Sequence, residues 1–98
     1  MDKVFIIEID DAKAEVVGSL WNDTINERLY PGEGELDTAE FVKAIYQAGW
    51  RGHWGVEILA ESHRKLPLAT ALTRAREAAL KCLNDAEQLL TQEQAQAV

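Results

Sequence analysis

The chain has 98 residues, 47% hydrophobic and 28% charged, which allows one domain with a modest core and excludes a composition typical of disorder. Its net charge of -7 is uneven: residues 1 to 40 carry eleven acids against three bases, and residues 41 to 98 carry six against seven. An N-terminal half so acidic repels phosphate backbones and argues against nucleic acid as a partner. The first element expected is a strand over residues 3 to 9, KVFIIEI, whose β-branched and aromatic residues suit burial on both faces. Alternation puts Phe5, Ile7 and Ile9 on one side and Val4, Ile6, Glu8 and Asp10 on the other. The strand starts almost at the chain start, so its outer edge is expected to lack a partner. The apolar run Val4 to Ile7 ends at Glu8, too short for a leader or a membrane span, and a cytoplasmic location without membrane association is expected.

Residues 11 to 36 are expected to form a loop with a short, irregular helix. Ala14, Val17, Leu20 and Trp21 fall at helical spacing, but Gly18 and the polar run WNDTINER interrupt it. Pro31-Gly32-Glu33-Gly34 is turn chemistry and not a phosphate loop, because no Gly-Lys-Ser/Thr follows. Asp37 with Glu40 reads as a capping box opening a helix over 38–48, with Phe41, Ala44, Ile45 and Ala48 as its buried face and Gly49 as its stop. A second strand, 53–59, holds the stretch GHWGVEIL with one acid, Glu57, near its end. Ala60 to Lys65 reads as polar loop. Pro67 suits the first turn of a helix over 67–92, with Leu68, Leu72, Ala75, Ala79, Leu83, Ala86 and Leu90 as one buried stripe. The tail TQEQAQAV offers no apolar face and is expected to fray. Strand, helix, strand, helix in this order means an α/β protein with parallel strands, without internal repeat beyond the two βα units.

Read as AGWRGHWGVEILAESHRKLPLATALTRA, the second strand and its flanks resemble the last strand and helix of the xylose isomerase-like (sugar phosphate isomerase/epimerase) family of (β/α)8 TIM barrels. Upstream, DDA and NERLYPGEGELD resemble the exit of the seventh strand and the loop after it. The resemblance covers residues 3 to about 85, but a whole barrel needs roughly 250 residues and rarely fewer than about 200. It therefore implies the C-terminal βαβα quarter of a TIM barrel, two parallel strands each followed by a helix, completed by association. In complete relatives it implies a divalent metal, Mn2+, Mg2+ or similar, that polarises a sugar or polyol while flanking acids move a proton. Isomerisation, epimerisation and dehydration in carbohydrate metabolism all fit that chemistry.

Candidate residues follow from both readings. A buried carboxylate is costly unless paired or bound to a cation, so Glu57 is read as a metal ligand and the acid of the site, against a partly exposed acid at a frayed strand end. The resemblance carries the ligand role onto it. Glu8 stands where family members carry a histidine or glutamine ligand and is the second metal candidate, against a solvated strand-end acid. Asp10 and Asp11 are expected to cap the turn or stand behind the metal ligands. Arg28, three residues before Pro31 in an R-x-x-P-G-x-G pattern, is a substrate-binding candidate, against a surface arginine paired with an acid such as Glu27. His63 and Arg64 are candidates for substrate contact or residues of a solvated loop. His53, Cys82, Trp21, Trp50 and Trp54 read as structural, Cys82 as core packing that excludes an internal disulfide. Two monodentate carboxylates hold a metal weakly, so the chain is expected to be inactive alone and to need further copies or a complementary chain. The alternatives are a non-catalytic interaction module and a truncated remnant.

Overall fold

The computed structural model describes residues 2–96. Six elements follow in order: β1 (Ile6–Ile9), α1 (Leu20–Asn26), α2 (Thr38–Gln47), β2 (His53–Val56), α3 (Glu61–Arg64) and α4 (Leu68–Gln96). β1 and β2 pair in parallel, Ile6 against His53, Ile7 against Trp54, Glu8 against Gly55 and Ile9 against Val56. The α/β class and the parallel βαβα order read from the sequence are what the chain forms.

Alternation along both strands sends Ile7, Ile9, Trp54, Val56 and Ile58 to one face. There Ile9 packs with Val42 of α2 and with Ala79, Cys82 and Ala86 of α4, all buried. A second cluster joins Tyr30, Ile58 and Ala60 to Ala75 and Ala78 of α4. Trp54 sits edge-on between Tyr46 and Trp50, with centroids 5.7 and 5.2 Å away, and the indole N–H of Trp50 donates to the Val4 carbonyl at 3.2 Å. The tryptophans at 50 and 54 and the cysteine thus pack as expected, and burial pushes the Cys82 thiol up. Trp21 is 72% exposed. The opposite face of the sheet, carrying Ile6, Glu8, His53 and Glu57, is exposed and is covered by no helix of the described residues.

The elements depart from the sequence reading where pairing or packing partners decide. β1 spans 6–9 and not 3–9, because β2 begins only at His53; Phe5, expected against the helices, is 90% exposed. β2 stops at Val56 and not at residue 59, because the strands diverge and residues 27 to 29 wedge between their ends. Asp11 pairs with Leu29, Glu27 with Ala60, and the Arg28 N–H donates to the Leu59 carbonyl at 3.1 Å. The expected polar loop at 60–65 contains the helical turn α3, braced by the Glu61–Lys65 ion pair at 3.1 Å. α2 starts at Thr38 as read, yet Asp37 adopts left-handed backbone (φ 50°), so its side chain caps nothing and Glu40 pairs with Lys43 instead, at 2.8 Å. Thr38 and Val42 are buried and Tyr46 is half-buried; of the expected face Ile45 is half-buried, while Phe41, Ala44 and Ala48 are exposed. α4 runs through Gln96, past the expected end at 92, and residues 97 and 98 lie outside the described residues. Leu68 and Leu72, read as the start of its buried stripe, are 75% and 62% exposed.

Candidate metal and substrate site

Both strands run toward the same end of the sheet, so residues at their C-terminal ends meet there. Glu8 sits in β1, and Glu57 follows the last paired residue of β2, its N–H donating to the Ile9 carbonyl at 3.4 Å. Gly55 lies across from Glu8. A Cβ at that position would stand 3.2 Å from Glu8 Cγ and 3.4 Å from Ile6 Cδ1, so the missing side chain is the room in which the glutamate stem lies. Glu57, two residues past Gly55 on the same face, is the diagonal neighbour of Glu8 across the ladder. A hydrogen bond to Glu57 is the main cause that pushes Glu8 above the usual carboxylate range, with the Glu57 charge next and slight desolvation last. Glu57 is exposed, which corrects the expectation of a buried acid: the face it occupies is the bare one.

Asp10 is the third acid at this end. Burial raises its carboxyl, the Arg28 guanidinium lowers it, and the charges of Glu57 and Asp11 raise it further. Arg28 Nε lies 3.7 Å from Asp10, while Nη1 is held 3.2 Å from Oδ2 of Asp23. Asp23 is buried, and its other oxygen accepts the Val17 N–H at 2.9 Å, so the guanidinium is fixed from behind. Arg28 therefore pairs with Asp23 and Asp10, while Glu27 pairs with Lys13 at 3.4 Å. Beside the acids is a cavity of about 320 Å3 lined by Glu8, Ile9, Asp10, Leu36, Thr38 and Phe41. A larger hollow of about 520 Å3 lies between Tyr46 and α4, away from all of them. Among the described residues no group of three or more His, Cys, Asp or Glu side chains is arranged to enclose a metal ion.

No protein-family model matches the chain. Over 67 residues it is 34% identical to a 3-dehydroshikimate dehydratase of Pseudomonas putida, a match that takes in 67% of this chain and 10% of that protein. The crystal structure of IolI protein with a bound zinc atom superimposes with a TM-score of 0.74 at 26% identity, over 86% of this chain and 29% of that one. Both matches support the resemblance of the chain to the xylose isomerase-like family. It spans about a tenth of the dehydratase and less than a third of IolI. Within this family of TIM barrels, the end of the sheet that gathers Glu8, Asp10 and Glu57 is the end where active sites are built.

The remaining candidates are placed elsewhere or tied down. His53 opens β2, at the opposite end of the strand from Glu57. The imidazole Nδ1 of His63 lies 2.5 Å from the Tyr30 hydroxyl, and Arg74 covers the Tyr30 ring at 4.7 Å. Arg64 donates to the Ile25 carbonyl at 2.8 Å and to Asn26 Oδ1. Neither residue lies in a solvated loop: both tie α3, one to Tyr30 and the other to the end of α1. Asp11, expected to cap a turn, does far more. Only 1% exposed, its carboxylate accepts the N–H groups of Ala12, Gly32, Gly34 and Leu36 at 2.8 to 3.0 Å. Gly34 approaches so closely that a Cβ would strike Asp11 Oδ1 and the Ala12 carbonyl. The turn chemistry at 31–34 was visible in the sequence. The reach of Asp11 to residues 32–36 was not, nor were Asp23 behind Arg28 and Gly55 across from Glu8, because each acts through a contact distant in sequence.

No helix of the described residues is long and apolar enough to cross a membrane.

Proposed function

We propose that this chain is a portion of a divalent-metal-dependent sugar or sugar phosphate isomerase/epimerase-like barrel, with Glu57 and Glu8 as cation ligands, and that it is inactive without further βα units. The observation that carries this reading is the pair of like-charged carboxyls at the C-terminal mouth of two parallel strands, in a fold shared with zinc-binding IolI. Two neighbouring acids of like charge gain when a cation lies between them, and their oxygens are hard donors suited to Mn2+ or Mg2+ and acceptable to zinc. When bound, such an ion would polarise a hydroxyl or carbonyl oxygen of a sugar or polyol.

The chain's own residues supply the rest. Arg28, locked by Asp23, offers a fixed positive charge to a substrate oxygen, hydroxyl, carboxylate or phosphate. Asp10, raised by burial and tempered by Arg28, is the group placed to hold or pass a proton beside that oxygen. With only two ligands in one copy, binding is weak and turnover by the isolated unit is not expected. His63 and Arg64, engaged by Tyr30, Ile25 and Asn26, act on substrate only by holding α3. A cytoplasmic setting fits this chemistry.

The test is calorimetric titration of Mn2+ into the wild-type chain, Glu57→Gln and Glu8→Gln. A weak binding event that Glu57→Gln abolishes and Glu8→Gln weakens supports the site; identical isotherms for all three chains remove it.

A further inference from the structure

We propose that Asp23 makes the Arg28 subsite selective for uncharged oxygens, so that it takes a hydroxyl or carbonyl of a neutral sugar or polyol and rejects phosphate and carboxylate. The inference rests on the reading of Arg28 as a substrate-binding residue and names the substrate class it admits. The guanidinium lies between two carboxylates: Nη1 is 3.2 Å from Oδ2 of Asp23, and Nε is 3.7 Å from Oδ2 of Asp10. Asp23 is held in place. It is 3% exposed, its Oδ1 accepts the Val17 N–H at 2.9 Å, and the Val17 carbonyl accepts from Asn22 Nδ2 at 3.0 Å. The backbone of Arg28 is fixed as well, its N–H donating to the Leu59 carbonyl while its neighbours Glu27 and Leu29 bridge to Ala60 and Asp11. These partners come from the end of β1, from α1 and from the segment after β2, so the charge balance at Arg28 is set by its immediate neighbours.

Donor capacity and charge separate at such a group. A guanidinium carries several N–H donors but a single charge. Asp23 cancels that charge and Asp10 adds a second negative one, yet Nη2 donates to no acceptor among the described residues. Spare N–H groups without spare charge suit a neutral oxygen, which accepts a hydrogen bond and brings no charge of its own. For an anion the balance is reversed. Its attraction to Arg28 is offset by Asp23 and Asp10, and Glu8 and Glu57 stand at the same end of the sheet, so it meets more negative charge than positive. A cation between Glu8 and Glu57 would offset those two acids and leave the two carboxylates of Arg28 in place. Arginines that bind phosphate or carboxylate tightly offer an unpaired fork for a bidentate contact. Here protein carboxylates already stand at Nη1 and on the Nε side. Asp23 thus acts on substrate through Arg28, as a positioning residue that also sets the charge of the subsite.

NMR of the full chain without metal tests this, read at the Arg28 Nε–Hε signal with xylitol and inorganic phosphate as probes at matched ionic strength. The wild type should take xylitol in preference to phosphate. Asp23→Asn keeps the size of the side chain and an acceptor for the Val17 N–H while freeing the guanidinium charge. It should raise phosphate affinity at Arg28 about tenfold or more and change xylitol affinity by less than about threefold. A general loosening of the fold would weaken both probes and cannot produce that gain. Asp10→Asn, which leaves the Asp23 contact intact, should raise phosphate affinity in the same sense and serves where Asp23→Asn does not fold. A wild type that binds phosphate at Arg28 as well as xylitol overturns the proposal, as does an Arg28 signal that answers neither probe, or folded variants whose preference matches the wild type. The outcome is separable from that of the metal site: phosphate at Arg28 in a chain that binds Mn2+ through Glu57 removes only the selectivity, and a polyol preference in a chain that takes no Mn2+ removes only the metal site.

Discussion

Glu8 holds its proton more tightly in the folded chain than an isolated glutamate does, because Glu57 stands beside it. The sign of the consequence is fixed by linkage. Between the ordinary glutamate value and the raised folded value, the folded state binds more protons than the unfolded one, so stability is fully present below the ordinary value and is lost as pH rises through the folded value. Asp10, also raised, contributes with the same sign. Urea midpoints of the wild type should therefore fall as pH rises above the ordinary glutamate value, and Glu8→Gln should lessen that fall. A wild type and variant with parallel pH profiles would deny that the two carboxyls feel each other. Asp11 has the opposite character: a buried acid whose oxygens satisfy four backbone donors around 12 and 32–36. Asp11→Ala leaves those donors unsatisfied and should cost about 3 kcal/mol of stability, read from chemical denaturation. Asp11→Asn, which keeps one acceptor oxygen, should cost less.

The elements show how far a sequence can be read. Periodicity located α2 and α4, and β-branched runs located both strands, because those signals are local. What a residue is buried against is not local. Phe41 and Ala44 carry the amphipathic pattern that promised a core face, yet the face used inside the chain is Thr38, Val42 and Tyr46, set by where α4 lies. The same holds for Leu68 and Leu72 at the start of α4. The strand ends were overestimated because the wedge of residues 27 to 29 between them is a tertiary event, and Asp37 failed as a cap because its backbone is left-handed. The site was legible at Glu8, Glu57 and Arg28, whose residue types and positions carry the chemistry, and illegible at the residues that hold them. At this scale the prediction concerns α2. Val42→Ala, at a fully buried position, should lower stability by about 2 kcal/mol in thermal or chemical melts. Ala44→Ser, on the exposed face, should stay within about 0.5 kcal/mol of the wild type. Equal costs for the two would mean that α2 does not pack through Val42.

For the whole molecule, charge and cation binding are linked. The chain carries a net -7, and Glu8, Asp10 and Glu57 stand at one end of its sheet. Their repulsion opposes folding, and either protons or a divalent cation would relieve it. A ligand that binds the folded chain better than the unfolded one must raise its stability by mass action. Mn2+ should therefore raise the urea midpoint of the wild type, and more at neutral pH than below the ordinary glutamate value, where protons compete for the same oxygens. Glu57→Gln, which removes a ligand and a repelling charge together, should be more stable than the wild type without metal and respond to Mn2+ weakly. Chemical denaturation with and without Mn2+ reads both effects. The site fails if Mn2+ leaves the wild-type midpoint unmoved or shifts that of Glu57→Gln as far, since binding elsewhere on the chain would not need Glu57.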